Sequence, residues 1–77
     1  MELAYTLKAL RKKHGWTQQQ LAERAGIKRS LVGAYEEGRA EPKIETLLAF
    51  SRIFQVSLDA LVGGVIPSTS TEVDAER

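Results

Sequence analysis

The sequence contains no cysteine among its 77 residues, so neither a disulfide nor a thiolate metal site can support the fold. Chains this short often need such support, or association with a partner, because a single small core leaves a thin stability margin. A lack of cysteine also fits a reducing compartment. We therefore expect a cytoplasmic protein in which helix packing or dimerisation supplies the stability.

Long apolar runs are also missing. No stretch approaches the roughly 20 apolar residues that span a bilayer, and the N-terminus lacks the apolar segment of a secretion signal. Histidine occurs once, as His14 next to two lysines, where it suits the C-terminal dipole of a helix better than a metal. We expect a soluble protein that is not associated with a membrane and has no metal or cofactor.

Net charge is only +1 over the whole chain, but it is unevenly distributed. Residues 1–67 hold ten basic and seven acidic side chains, for a net charge of +3, whereas residues 68–77 carry a net charge of −2. A mildly basic body is compatible with a polyanionic partner, although many neutral domains have a similar balance.

Serine and threonine lie mostly at predicted helix caps and in the last ten residues. A nucleophile, a base and an orienting group therefore cannot be placed together from this set of residues. We expect no enzymatic activity.

Apolar residues at helical spacing predict a series of short helices. A first helix covers about residues 2–14, and Gly15 ends it. Thr17 and Gln20 have the spacing of a capping box, which opens a second helix that ends at Gly26. A third helix follows over about residues 28–37.

The remaining pattern predicts two more helices and a tail. A fourth helix covers about residues 43–54, Ser57 caps a short fifth helix, and Gly63 begins a polar, Gly-, Ser- and Thr-rich segment. We therefore place one domain at residues 1–62 and a tail or linker at residues 63–77. The predicted inner face of the fourth helix consists of Ile44, Leu47, Leu48, Ser51 and Phe54.

Two short helices joined by a glycine-containing turn are the arrangement of a helix-turn-helix. The second helix of such a pair fits the major groove of DNA and reads base edges with its first turns, while the first helix crosses the phosphate backbone. The sequence therefore predicts a site for double-stranded DNA on the second and third helices.

Several spaced blocks resemble the phage Cro/repressor-like (XRE-type) helix-turn-helix family. They are residues 16–27 (WTQQQLAERAGI), 35–39 (YEEGR) and 56–61 (VSLDAL), together with Pro42 and Leu47, and the resemblance spans residues 3–62. It implies an all-α, five-helix, lambda-repressor-like domain that acts in transcriptional control. Such a regulator, and in particular a repressor, would bind a DNA operator.

The resemblance also implies roles for individual residues. Arginine suits a bidentate contact to guanine, and an Ala34 methyl can touch a thymine methyl. Arg11 matches a family position that forms an ion pair with Glu36 and also faces a phosphate. The residues expected to contact bases are Lys28, Arg29, Ser30 and Ala34. Those expected to contact phosphates are Thr17, Gln18, Arg11, Arg39 and Lys43.

Gly33 and Ala34 depart from the pattern, because many relatives carry longer polar side chains at these positions. Lys28 departs as well, since it stands where the family often places a capping serine or threonine. The small side chains leave a second reading open, in which the same fold binds a protein, as an interaction module or an antitoxin-type partner. Salt-dependent affinity for DNA would count against that reading.

One small module offers few base contacts, so we expect a homodimer on a palindromic operator. An apolar cluster near the C-terminus is the expected interface, although these residues could instead complete the core of a monomer. The tail could also bind a protein partner. The residues expected at the dimer interface are Leu58, Leu61, Val62, Val65 and Ile66.

Overall fold

The computed structural model describes residues 2–63, and this part of the chain consists of five helices without a strand. The expected all-α, five-helix architecture is therefore confirmed. The predicted tail, apart from Gly63, lies outside the described residues. The helices are α1 (Leu3–Lys13), α2 (Gln18–Ala25), α3 (Arg29–Glu36), α4 (Ile44–Phe54) and α5 (Leu58–Gly63).

The two helices at the centre of the motif begin differently. Thr17 caps α2, because its Oγ1 accepts a hydrogen bond from the Gln20 amide at 3.0 Å. Gln20 completes the predicted capping box, since its Oε1 accepts a hydrogen bond of 2.9 Å from the Thr17 amide. Lys28 holds the equivalent position of α3 and makes no side-chain capping bond. The start of α3 thus lacks a stabilising contact that α2 has.

Tight turns separate the helices. Gly26 ends α2 with φ at 72°, a left-handed conformation that glycine adopts without steric cost. Gln55 ends α4 at φ 57° and is the non-glycine residue that takes this conformation in the described part of the chain. Ser57 then starts α5, as predicted, by accepting a hydrogen bond from the Ala60 amide at 3.0 Å.

A single core lies among the five helices. α1 packs against α3 and α5, α2 packs against α3 and α4, and α4 packs against α5. Thr6 is a polar residue inside this core, and its hydroxyl has no hydrogen-bond partner among residues 2–63. The largest apolar side chains that are fully buried are Leu7, Leu21, Val32, Phe50 and Leu61.

The inner face of α4 differs from the predicted one. Phe50 is completely buried, whereas Ile44 is 56% exposed and Leu48 is 38% exposed. The helix is therefore rotated so that Phe50 and Phe54 point into the core and Ile44 does not. Ser51 is only partly buried, and its hydroxyl donates a hydrogen bond to the Val56 carbonyl at 2.6 Å.

The predicted dimer interface near the C-terminus also differs from what the structure shows, because it cannot include Leu61. Leu61 is fully buried against the other helices of its own chain, so its side chain has no surface left for a second copy. Leu58 and Val62 pack against the core but keep part of their surface exposed. Val65 and Ile66 lie outside the described residues.

Most of the aromatic side chains lie in the core or pack against it. Tyr35 is buried and meets Phe50 edge to face. Trp16 is partly buried, with the His14 ring stacked 4.6 Å from it and the Arg24 guanidinium carbon 4.3 Å from the ring centre. His14 thus packs on an aromatic ring at the end of α1.

Candidate nucleic-acid interface

The helix pair α2 and α3 forms a helix-turn-helix. The two helices pack directly on each other, and the turn between them consists of residues 26–28. Ala22 is almost completely buried in the contact, where a small side chain lets the helices approach closely. The Gln18 side chain at the start of α2 lies over Gly33 in the middle of α3, and the Arg29 side chain reaches it with a hydrogen bond of 2.9 Å.

The N-terminus of α2 presents backbone donors. The capping box occupies the Thr17 and Gln20 amides, but the amides of Gln18 and Gln19 have no carbonyl partner within the helix. Thr17 is exposed, while Gln18 is partly buried. Free amides at the positive end of a helix dipole suit an anion such as a phosphate.

The N-terminus of α3 carries an exposed cationic group. Lys28, Arg29 and Ser30 are all exposed, and the first turn of α3 contains no acidic residue. Arg29 donates from Nη1 to Oε1 of Gln18 at 2.9 Å, which uses one of its N–H groups and leaves the others for a ligand. The structure thus brings these three predicted base-contacting residues together at one helix end.

Ala34 is placed differently from the prediction. It is only 8% exposed, so its methyl group offers little surface for a thymine methyl. This burial argues against the predicted base contact by Ala34. Gly33, one residue earlier, is covered by the amide of Gln18.

The loop after α3 carries the other two expected phosphate ligands. Arg39 and Lys43 are both exposed on either side of the buried Pro42. Arg39 is not free of protein partners, because its Nε lies 2.6 Å from Oε1 of Glu37. Both side chains of this pair are more than half exposed, so a competing anion can replace the carboxylate at little cost.

Arg11 and Glu36 form a buried ion pair between α1 and α3. The Arg11 guanidinium donates from Nε to Glu36 Oε2 at 2.6 Å, from Nη2 to Oε1 at 3.0 Å, and from Nη1 to the Trp16 carbonyl at 2.8 Å. The Arg11 side chain is only 10% exposed. These bonds use three of the five N–H groups of the guanidinium, so a phosphate contact by Arg11 through the other two stays a prediction.

Two relationships at this surface were missed from the sequence. Glu37 binds Arg39, and its position two residues before an arginine was the available signal. The Gln18 side chain is the second: its hydrogen bonds to Arg29 and Glu36 and its position over Gly33 had no signal in the sequence, because they depend on how α2 crosses α3.

Other kinds of site find little support in the described part of the chain. Residues 2–63 contain no group of three histidine, aspartate or glutamate side chains that could hold a metal ion. Within the same range, no helix has the length and apolar character needed to cross a membrane.

Comparison with known proteins places this geometry in a family. Residues 7–61 match the helix-turn-helix family. YqaE of Bacillus subtilis, an HTH-type transcriptional regulator, is 47% identical over 58 residues, which are 75% of this chain and 50% of YqaE. The immunity repressor protein of Bacillus phage phi105 is 36% identical over 63 residues, which are 82% of this chain and 44% of the repressor.

A solved structure has the same fold. The DNA-binding domain of the P22 C2 repressor superposes with a TM-score of 0.76 at 29% identity, covering 87% of this chain and 90% of that domain. The chain spans about half the length of the relatives YqaE and the phi105 repressor. With residues 7–61 matched and the helix pair α2 and α3 in place, the chain belongs to the helix-turn-helix family.

Proposed function

We propose that this chain binds double-stranded DNA at a specific sequence and acts as a transcriptional repressor, with α3 in the major groove. The observation that carries the proposal is the exposed, acid-free start of α3, where Lys28, Arg29 and Ser30 are all open to a ligand. An α-helix with this end exposed has the shape and charge that the major groove accepts. We place the activity in the cytoplasm.

Phosphates on both sides of the groove would fix the position of the protein. The amides of Gln18 and Gln19 and the Thr17 hydroxyl supply neutral donors on one side. Arg39 and Lys43 supply charges on the other side, since both are exposed in the loop between α3 and α4. Each cation that neutralises a phosphate makes the affinity fall as salt rises.

Base recognition would depend mainly on Arg29. A bidentate arginine–guanine contact discriminates against the wrong base by about 1–3 kcal/mol. Lys28 and Ser30 can add hydrogen bonds to neighbouring base edges. The burial of Ala34 makes Arg29 more important, because it leaves fewer side chains on α3 to read the sequence.

A second copy of the chain would double the number of contacts. One module of this size reads few base pairs, and a symmetric dimer reads two half-sites of an inverted repeat. Leu58 and Val62 support this proposal, because part of the surface of each stays exposed on α5. Val65 and Ile66 continue the apolar sequence beyond the described residues.

The test is selection of bound duplexes from a random pool, followed by titration of the selected duplex and a scrambled duplex at two salt concentrations. The wild type should prefer an inverted repeat by about 1,000-fold or more. Arg29→Ala should lose most of this preference at one base pair in each half-site. Arg52→Ala is the matched control, because it removes the same charge from an exposed position on α4.

An unselective wild type would contradict the proposal. If no duplex is enriched and scrambled DNA binds equally well, the chain does not read sequence, and a protein partner for α3 becomes the next candidate. Equal losses in Arg29→Ala and Arg52→Ala would show that Arg29 contributes only charge.

A further inference from the structure

The side of α1 that faces away from the core is basic. Tyr5, Lys8, Ala9 and Lys12 line a shallow depression on this side, and the Tyr5 ring is 66% exposed. Their spacing places all four on one face of the helix. Within residues 2–63, neither lysine forms an ion pair with a carboxylate. This surface, which we call the α1 basic face, therefore has two positive charges available to an acidic ligand.

The end of α5 lies at the start of α1. The Glu2 amide donates a hydrogen bond to the Val62 carbonyl at 3.3 Å, and the two helices pack against each other. The chain therefore leaves the described domain beside the first turn of α1. From Glu2 to Lys12 the helix rises by about 15 Å, whereas residues 64–72 can span about 30 Å. Residues 68–77 can consequently reach the whole α1 basic face.

Residues 68–77 have the charge that this face lacks. They contain three acids and one arginine, for a net charge of −2. The acids stand at every second position, as Glu72, Asp74 and Glu76. Alternate residues of an extended chain face the same side and lie about 6.6 Å apart. The two lysines of the α1 basic face are separated by about 6 Å along the helix, so the two spacings are similar.

We propose that residues 68–77 dock on the α1 basic face of their own chain, with their carboxylates against Lys8 and Lys12. Exposed ion pairs are individually weak and screened by salt, so a separate acidic peptide would bind this face poorly. A tethered segment has an effective concentration on the order of millimolar at a surface within its reach, and several pairs can then form together. The contact leaves the start of α3 uncovered, so the inference does not depend on the proposed DNA binding.

The test places a paramagnetic label on the acidic segment of the full chain. Because the chain has no cysteine, Ala75→Cys provides a single attachment site for a nitroxide. The measurement is the intensity of each backbone amide resonance with the nitroxide oxidised and then reduced. The amides of Lys8, Ala9 and Lys12 should lose intensity in the oxidised sample, because the unpaired electron broadens the resonances of nearby nuclei.

The matched control keeps the label and the length of the segment but removes its negative charges. It carries Glu72→Gln, Asp74→Asn and Glu76→Gln in addition to the labelled position. The amides of the α1 basic face should regain their intensity in this variant. They should regain it in 1 M salt as well, where the Debye length is about 3 Å.

A second pair of variants tests the lysines. Lys8→Gln with Lys12→Gln should abolish the loss of intensity along α1. Lys43→Gln with Arg52→Gln removes two charges from exposed positions at the start of α4 and within it, and it should leave the loss unchanged. Equal effects of the two pairs would overturn the inference, because the segment would then respond only to the net charge of the domain.

Three other results would also overturn the inference. An intensity loss on α1 that persists in the neutral segment would show that the acids do not hold it there. A loss concentrated at residues 28–31 would place the segment on the start of α3. A loss of the same size in a mixture of nitroxide-labelled chains and separate ¹⁵N-labelled chains would assign the contact to a second copy. None of these measurements involves DNA, so failure of the proposed function would leave them unchanged.

Discussion

Arg11 and Glu36 stand 25 positions apart in the sequence, yet two hydrogen bonds of 2.6 and 3.0 Å join their side chains. Only 10% and 2% of these side chains are exposed. A charge left alone at such a site would lack both water and a counter-ion, so each partner depends on the other.

Glu36→Ala should therefore lower the free energy of unfolding by about 3–5 kcal/mol. Urea denaturation followed by circular dichroism measures this change. Glu37→Ala is the matched control, because it removes an exposed glutamate from the next position and should change stability by less than about 0.5 kcal/mol. Equal effects of the two substitutions would show that the buried position of Glu36 has no energetic consequence.

Thr6→Val should raise stability. The Thr6 hydroxyl is buried and has no hydrogen-bond partner among the described residues, and an unsatisfied buried hydroxyl costs about 1–3 kcal/mol. Valine has the same shape without that group. Thermal unfolding should show a higher midpoint for Thr6→Val and a lower one for Thr6→Ser, which keeps the hydroxyl and loses a methyl. A lower midpoint for Thr6→Val would mean that the hydroxyl is bonded.

Lys28→Ser should stabilise the fold and weaken DNA binding. Lys28 has the extended backbone of an N-cap, with φ −76° and ψ 146°, but its side chain makes no capping bond. Serine supplies that bond and should add about 1 kcal/mol relative to Lys28→Ala, which removes the same charge. Thermal unfolding of the two variants gives the capping contribution.

The cost to DNA binding is measured on the same two variants. Both should bind the selected duplex more weakly than wild type, because a cation near the groove is lost. A duplex affinity equal to that of the wild type would show that Lys28 faces away from the DNA.

Glu37→Gln should raise the affinity for DNA. The substitution releases Arg39 from its ion pair and removes a negative charge near the proposed phosphate contact. Because an exposed pair contributes only about 0.2–1 kcal/mol, the gain should be about twofold to fivefold, with stability unchanged. The double variant Glu37→Gln with Arg39→Ala should lose the gain. If it does not, the effect of Glu37 is independent of Arg39.

The sequence was sufficient to predict the order of the helices and the start of α2. Leucines at helical spacing and the Thr17–Gln20 capping box are local signals, and local signals carry over directly to the structure. The resemblance to repressors also indicated the pairing of Arg11 with Glu36, a long-range contact that helical periodicity alone does not predict.

The sequence did not predict which face of a helix is buried where two faces are similarly apolar. On α4, Ile44 and Leu48 fit a helical stripe as well as Phe50 does, and only the packing of the neighbouring helices decides between them. Leu61 was assigned to a dimer interface for a similar reason. An apolar residue in a short terminal helix can face a partner or its own core, and the structure places it in the core.

The contact of α1 with α3 through Arg11 and Glu36 also has a consequence for local unfolding. Segments that open independently are those with few buried contacts, and their amides exchange with solvent faster than the globally protected ones. The Arg11–Glu36 pair, the buried Tyr35 and the amide of Gln18 all fasten α3 to its neighbours. The amides of α3 that are hydrogen-bonded within the helix should therefore exchange hydrogen for deuterium only when the whole domain unfolds, so that the helix carrying the reading surface opens only together with the fold.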